Sequence, residues 1–177
     1  MRYHYDWEFE ENGETIIPIS VGIVADDGRE LYLINKDYMQ TVFDLEPYYW
    51  RERHSSVISE WLSKNVLDNI SQEDVYNYGV AEENMGFHIQ TFISAAGRYK
   101  SRNEVELWGY YSAYDHVALA QCFGPMINLP IPIPLYTNEL MTIRNGRDWP
   151  ERPVELAEHH ALNDAKYQKL IYESWSQ

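Results

Sequence analysis

Cysteine is almost absent: Cys122 stands alone, so no internal disulfide can form. Cysteine this sparse fits a reducing compartment and rules out a Cys-rich zinc centre. No stretch approaches the ~18 apolar residues that a membrane span needs. The opening Met1-Arg2-Tyr3-His4-Tyr5-Asp6 has no apolar signal region. The expectation is therefore a soluble, cytoplasmic protein with no membrane association. There is no glycine-rich loop of the kind that cradles phosphates. Positive charge is scarce too: 14 Lys and Arg against 28 Asp and Glu leave a formal net charge of −14. Nonspecific nucleic-acid binding depends on Lys and Arg displacing counterions, so a protein that coats long duplexes is excluded. An enzyme that grips only a strand terminus is not, because divalent metal neutralises local carboxylate charge. Arg98, Lys100 and Arg102 form one basic cluster, and Arg144, Arg147 and Arg152 a looser one. Either group serves such contacts or is solvated loop charge.

What is present is a globular composition, 45% hydrophobic and 15% aromatic over 177 residues. A chain of this length buries roughly 70% of the surface its unfolded state exposes, enough for a core without staples. A single domain over residues 1–177 is expected.

Residues 2–10 alternate and read as a strand. Residues 15–25 follow as a second, with Ile17, Ile19, Val21 and Ile23 on one face at a period of two. Pro18 places the start of that strand at an edge or a bulge. Asp27-Gly28 signals a hairpin into a third strand over 30–34, so the chain opens as an antiparallel meander. Residues 36–54 show no clean period. Ser55 or Ser56 then caps a helix whose Val57, Ile58, Trp61, Leu62 and Val66 share a face. A second helix spans about 81–97, with Met85, Ile89, Phe92 and Ala96 as its stripe. A strand over 105–111, a short helix over 115–123 and a final helix over 160–175 complete the pattern. Prolines make 128–135 an extended loop. Strands first meandering and then alternating with helices predict an α/β fold with a mixed sheet.

The chemistry resides in four acidic residues from three separated stretches. Asp6 and Glu8 are two apart on a strand, so both side chains leave one face. Glu10 extends the row, and spacing alone does not choose between Asp6/Glu8 and Glu8/Glu10 as a ligand pair. Asp115 falls just past a strand at the start of a helix. That position suits a dipole-stabilised carboxylate and is also where ligands bind in open α/β sheets. Asp164 lies on the last helix, where carboxylates are usually solvated. It follows His159-His160. Helical spacing makes His160 its neighbour, and His159 comes into play only if it precedes the helix proper. Converging carboxylates beside an imidazole are what holds two divalent cations and deprotonates a water, a phosphodiester-cleaving arrangement.

Asp6-Trp7-Glu8, Tyr114-Asp115 and His159-x-x-x-x-Asp164-Ala165 resemble, in this order, the three motifs of DEDDh 3'→5' exonucleases of the ribonuclease H-like superfamily. Within that group the chain is similar to the compact stand-alone exoribonucleases of mycobacteria and phages. The shared stretches are Ala113-Tyr114-Asp115-His116-Val117-Ala118-Leu119 and Leu129-Pro130 through Thr137-x-Glu139-Leu140. The motifs cover residues 2–34 and 104–172 and leave about 36–100 unaligned. Trp7 is larger than the residue common at its place, and Tyr111-Ser112 stands where an Asn is frequent.

The resemblance implies a ribonuclease H-like fold and metal-dependent release of 5'-mononucleotides from RNA 3' ends. Asp6, Glu8 and Asp164 would hold one Mg²⁺ and Asp6 with Asp115 a second, with Mn²⁺ as a substitute. It assigns the proton-accepting base to His159, whereas spacing alone points to His160. Phe9, and after it Tyr111, are candidates for stacking on a base. The related enzymes are dimers, and the apolar 129–135 loop offers a contact surface. Two other readings stand beside this one. A proofreading-type DNA exonuclease shares the chemistry, and no residue announces a 2'-hydroxyl contact. A catalytically silent nucleic-acid-binding module would keep the fold without the activity.

Overall fold

The computed structural model describes residues 1–11, 13–44, 56–94 and 98–176. Three long strands form first: β1 (Arg2–Glu11), β2 (Ile16–Ala25) and β3 (Glu30–Asn35). They pair antiparallel as the meander requires, and Gly28 turns the β2–β3 hairpin at a φ of +87° that only glycine adopts freely. Three short strands run parallel to their neighbours: β4 (Gly79–Val80) beside β3, β5 (Glu106–Gly109) beside β1, and β6 (Asn138–Glu139) beside β5. Among the described residues this gives a six-stranded mixed sheet in the order β4-β3-β2-β1-β5-β6.

Helices cover both faces. α1 (Lys36–Asp44), α2 (Ser56–Asn65) and α3 (Gln72–Tyr78) follow β3. α4 (Glu82–Ser94), α5 (Ala113–Gln121) and α6 (Ala161–Trp175) come later. Tyr3, Tyr5 and Trp7 of β1 pack with Met85, Ile89 and Ile93 of α4 and with Ala118 and Leu119 of α5. The opposite face carries Ile19, Tyr32 and Ile34 against Leu62, Val66 and Ala161, and further along α6, Ile171 and Trp175 close over Leu140. This is the mixed α/β architecture expected of a ribonuclease H-like protein. Among the described residues no helix is long and apolar enough to cross a membrane.

Several expectations need correction. The register of β1 on β2 shifts between Glu8 and Phe9, opposite Pro18 and Ser20. This bulge at the proline flips the alternation. Ile19 therefore faces the α2/α6 side while Val21 and Ile23 face the α4/α5 side. α1 lies within the stretch that showed no period. Asn35 starts it, its Oδ1 accepting from the amides of Asp37 and Tyr38 (both 3.1 Å), and α1 seats only a short stripe of Tyr38, Met39 and Val42 on the core. α3 is announced by a capping box, Ser71 with Asp74. Leu62 on α2 and Val66 just past its end are buried, but Trp61 is 50% exposed and leaves the stripe. Ser55, and the side chains of Val57 and Ile58, lie outside the described residues, as does Ala96 of the α4 stripe, which includes Ile93. Arg102 is structural: its guanidinium donates to the carbonyls of Leu129, Pro130 and Ile133 and pins the proline-rich loop.

Candidate active site

β5 accompanies β1 only from Arg2 to His4. Beyond that point β1 runs on with one side free of a strand partner among the described residues, and a cleft of about 560 Å³ opens there. Asp6 and Glu8 project from β1 toward α6, while Trp7 points the other way into the core. Trp7 is thus packed into the core, 3% exposed, and also borders the cleft. Its amide serves the site, donating to Asp115 Oδ1 (2.9 Å) from the side that β5 has left. Asp115 is thereby tied from the first turn of α5 to the strand that carries Asp6 and Glu8.

α6 reaches β1 because β2 has a glycine at the crossing. Gly22 pairs with Asp6, and a Cβ there would sit 2.3 Å from Ala161 O and from Leu162 N and Cα. Ala161 and Ala165, small residues on the buried stripe of α6, complete the close approach. One turn is thus pressed onto the sheet, and Asp164 arrives beside the β1 carboxylates. Asp6, Glu8 and Asp164 each offer an oxygen, and these lie within 4.8 Å of one another. A hard divalent cation with ligands at about 2.0–2.6 Å spans such a set. Asp115 lines the same cleft outside that trio. Glu10, the rival in the β1 row, instead accepts from Tyr38 Oη at 2.8 Å.

The trio repels itself. Burial, then Asp115, Asp164 and Glu8, push the Asp6 carboxyl well above the ordinary range, with Arg152 opposing. Glu8 is pushed up to about 8 by burial and then by Asp164 and Asp115. Asp115 rises to about 7, chiefly from burial, against the hydrogen bond from Trp7. Such carboxylates favour either protons or a bound cation.

The two histidines separate cleanly. His160 is the N-cap residue of α6; its amide donates to Asp164 Oδ2 (3.1 Å) and its ring stacks on Tyr32 (4.5 Å between centroids). His159 precedes the helix at φ +59° and lines the cleft. Phe9 also lines it, stacked against Tyr114 (6.1 Å, 15° between planes). Tyr111, at φ +51° and 66% exposed, stands at the cleft with Tyr110 and Trp149.

Sequence reasoning missed three supports of the site. Gln168 Nε2 donates to Asp6 Oδ1 (2.8 Å); it lies one turn beyond Asp164, a spacing that would have nominated it. Arg152, one of the loosely grouped basic residues, pairs with Asp164 (2.5 Å), donates to the Leu156 and Ala157 carbonyls and lies over the Tyr167 ring. Glu139 receives the amides of Tyr111 and Ser112 (3.1 and 3.0 Å) and so fixes the turn that launches α5.

A mixed sheet with carboxylates from β1, α5 and α6 meeting beyond the end of β5 defines the class: a ribonuclease H-like nuclease. The chain belongs to the family of the Rv2179c-like 3'-5' exoribonuclease domain, whose pattern matches residues 1–175. That span includes the 36–100 stretch that the motifs left unaligned. It is similar to the 3'-5' exoribonuclease Rv2179c of Mycobacterium tuberculosis strain H37Rv, 35% identical over 169 residues. The 3'-5' exoribonuclease MT2234.1 of strain CDC 1551 shows the same identity, and in both cases 95% of this chain and 89% of the relative are covered.

Proposed function

We propose that this chain is a metal-dependent 3'→5' exoribonuclease, one domain over residues 1–177, releasing 5'-mononucleotides from RNA 3' ends. The observation that carries this reading is the meeting of Asp6, Glu8 and Asp164 within 4.8 Å, inside a family described as 3'-5' exoribonucleases. The two mycobacterial relatives, named for the same activity, support both RNA and the polarity.

All the donors are oxygens, which favours Mg²⁺, with Mn²⁺ as substitute, over zinc. Asp6, Glu8 and Asp164 would hold one ion and Asp6 with Asp115 the second. Two such ions stabilise the attacking and leaving oxygens of an in-line displacement. The protein does the rest. His159, on its strained turn at the cleft wall, takes the proton of the attacking water. Gln168 fixes the Asp6 carboxylate, and Arg152 holds Asp164 and the chain leading to His159. Phe9 offers its ring to the terminal base. The lone Cys122 fits work in the cytoplasm.

We also propose a homodimer. Leu129 and Ile133 are buried under the sheet edge, but Met126, Ile127, Ile131, Leu135 and Tyr136 are exposed within one short stretch. An apolar surface of that kind marks a contact site.

The test uses 5'-labelled single-stranded RNA and DNA of one sequence, with and without Mg²⁺. The reading predicts Mg²⁺-dependent stepwise shortening of the RNA from its 3' end. Faster DNA digestion would move the assignment to the proofreading type, and binding without cleavage to a silent module.

A further inference from the structure

His159 adopts a left-handed backbone conformation that a non-glycine residue holds only under constraint from its surroundings. Such a residue needs something to fix its ring as well as its backbone. The ring meets Trp61, edge to face, with centroids 4.9 Å apart and planes at 79°. Trp61 comes from α2, in the middle of the chain, far from all three acidic motifs.

The helix is built to present it. Leu62, with Val66 just past the helix end, anchors α2 in the core that also contains Ala161, at the start of α6. Leu67 and Ile70, just after it, are buried in the same cluster. Trp61 is thus the neighbour of an anchored residue, on a helix seated beside the turn that carries His159. It is half-exposed, so burying its own apolar surface does not account for its position.

We infer that Trp61 is a positioning residue for the base: α2 uses its indole to hold the His159 imidazole in the orientation that serves catalysis. This rests on the reading of His159 as the proton acceptor. A single edge-to-face aromatic pair contributes little to folding. Its effect belongs in turnover, because a misplaced base lowers the rate without weakening substrate or metal binding.

The experiment compares Trp61→Leu, which keeps the apolar bulk, with Trp61→Phe, which keeps a ring, each alone and combined with His159→Ala. Rates are measured on 3'-labelled RNA and melting temperatures on the same samples. Trp61→Leu should lower kcat about 3–10-fold, the equivalent of one aromatic pair. KM and the Mg²⁺ concentration for half-activation should stay within twofold, and Trp61→Phe should recover most of the rate. In the His159→Ala background Trp61→Leu should cost nothing further, because the group it positions is gone. The same loss in both backgrounds, a loss carried by KM, or no loss at all would overturn the inference while leaving the base assignment intact. Full turnover by His159→Ala alone would remove that assignment and this inference with it.

Discussion

Glu8 carries a charge that its surroundings oppose, and the direction of that opposition can be measured. A free glutamate titrates near 4.5, but beside Asp164 and Asp115, and buried, Glu8 is pushed up to about 8. The folded state therefore binds this proton more tightly than the unfolded state. Its stabilising contribution is fully present below about pH 4.5 and is lost as pH rises through about 8, a change on the order of a few kcal/mol. In chelator, Glu8→Gln should gain melting temperature relative to the unsubstituted protein as pH goes from 5 to 8. A pH-independent difference would contradict this. The histidines offer a second contrast. His159→Ala should lower kcat about 10²–10⁴-fold, whereas His160→Ala, which loses a stack on Tyr32, should cost stability and little rate. A crippled His160→Ala would reverse the assignment. That Asp6, Glu8, Asp115, Asp164 and His159 line one cleft was legible from the order of the motifs, whereas parity and spacing alone left Glu10 and His160 open. Arg152 and Trp61 were not, because their roles depend on distances that only the fold creates; Gln168 has a signal, one turn beyond Asp164, but that spacing does not say that it holds Asp6.

At the scale of elements, the crossing of α6 over β2 determines whether the carboxylates meet. Gly22 faces backbone atoms of Ala161 and Leu162 that cannot rotate away from an added Cβ. Gly22→Ala should push α6 off the sheet, lower the melting temperature by several degrees and reduce turnover, because Asp164 moves with the helix. Unchanged melting and rate would show that the helix gives way without harm to the site. The meander and α4 were readable from periods of two and of three to four, although β2 is buried on both of its faces. The bulge at Pro18 was expected, but its consequence for Ile19 was not, because a single extra residue inverts the alternation only beyond it. α1 was hidden by the shortness of its stripe, Tyr38, Met39 and Val42, and β4 and β6 by their length of two residues.

For the whole molecule, a net charge of −14 opposes RNA binding over the general surface, which leaves the cleft and the strand terminus as the expected place of contact. Activity should accordingly depend on a free 3' end more than on substrate length. The exposed apolar stretch from Met126 to Tyr136 predicts a dimer by sedimentation at micromolar concentration, and Ile127→Asp together with Ile131→Asp should shift it to monomer. A single 21.0 kDa species of the unsubstituted protein would refute the dimer. We propose the Asp6 carboxylate, held by Gln168 and facing Glu8 and Asp164, as the pivot of a metal-dependent exonuclease. The most direct test is Mg²⁺-dependent mononucleotide release from 3'-labelled RNA by the protein and by Asp6→Ala, with circular dichroism confirming that both are folded. The unsubstituted protein should release mononucleotides until chelator is added, and the folded Asp6→Ala should release none. Near-normal release by Asp6→Ala would contradict it.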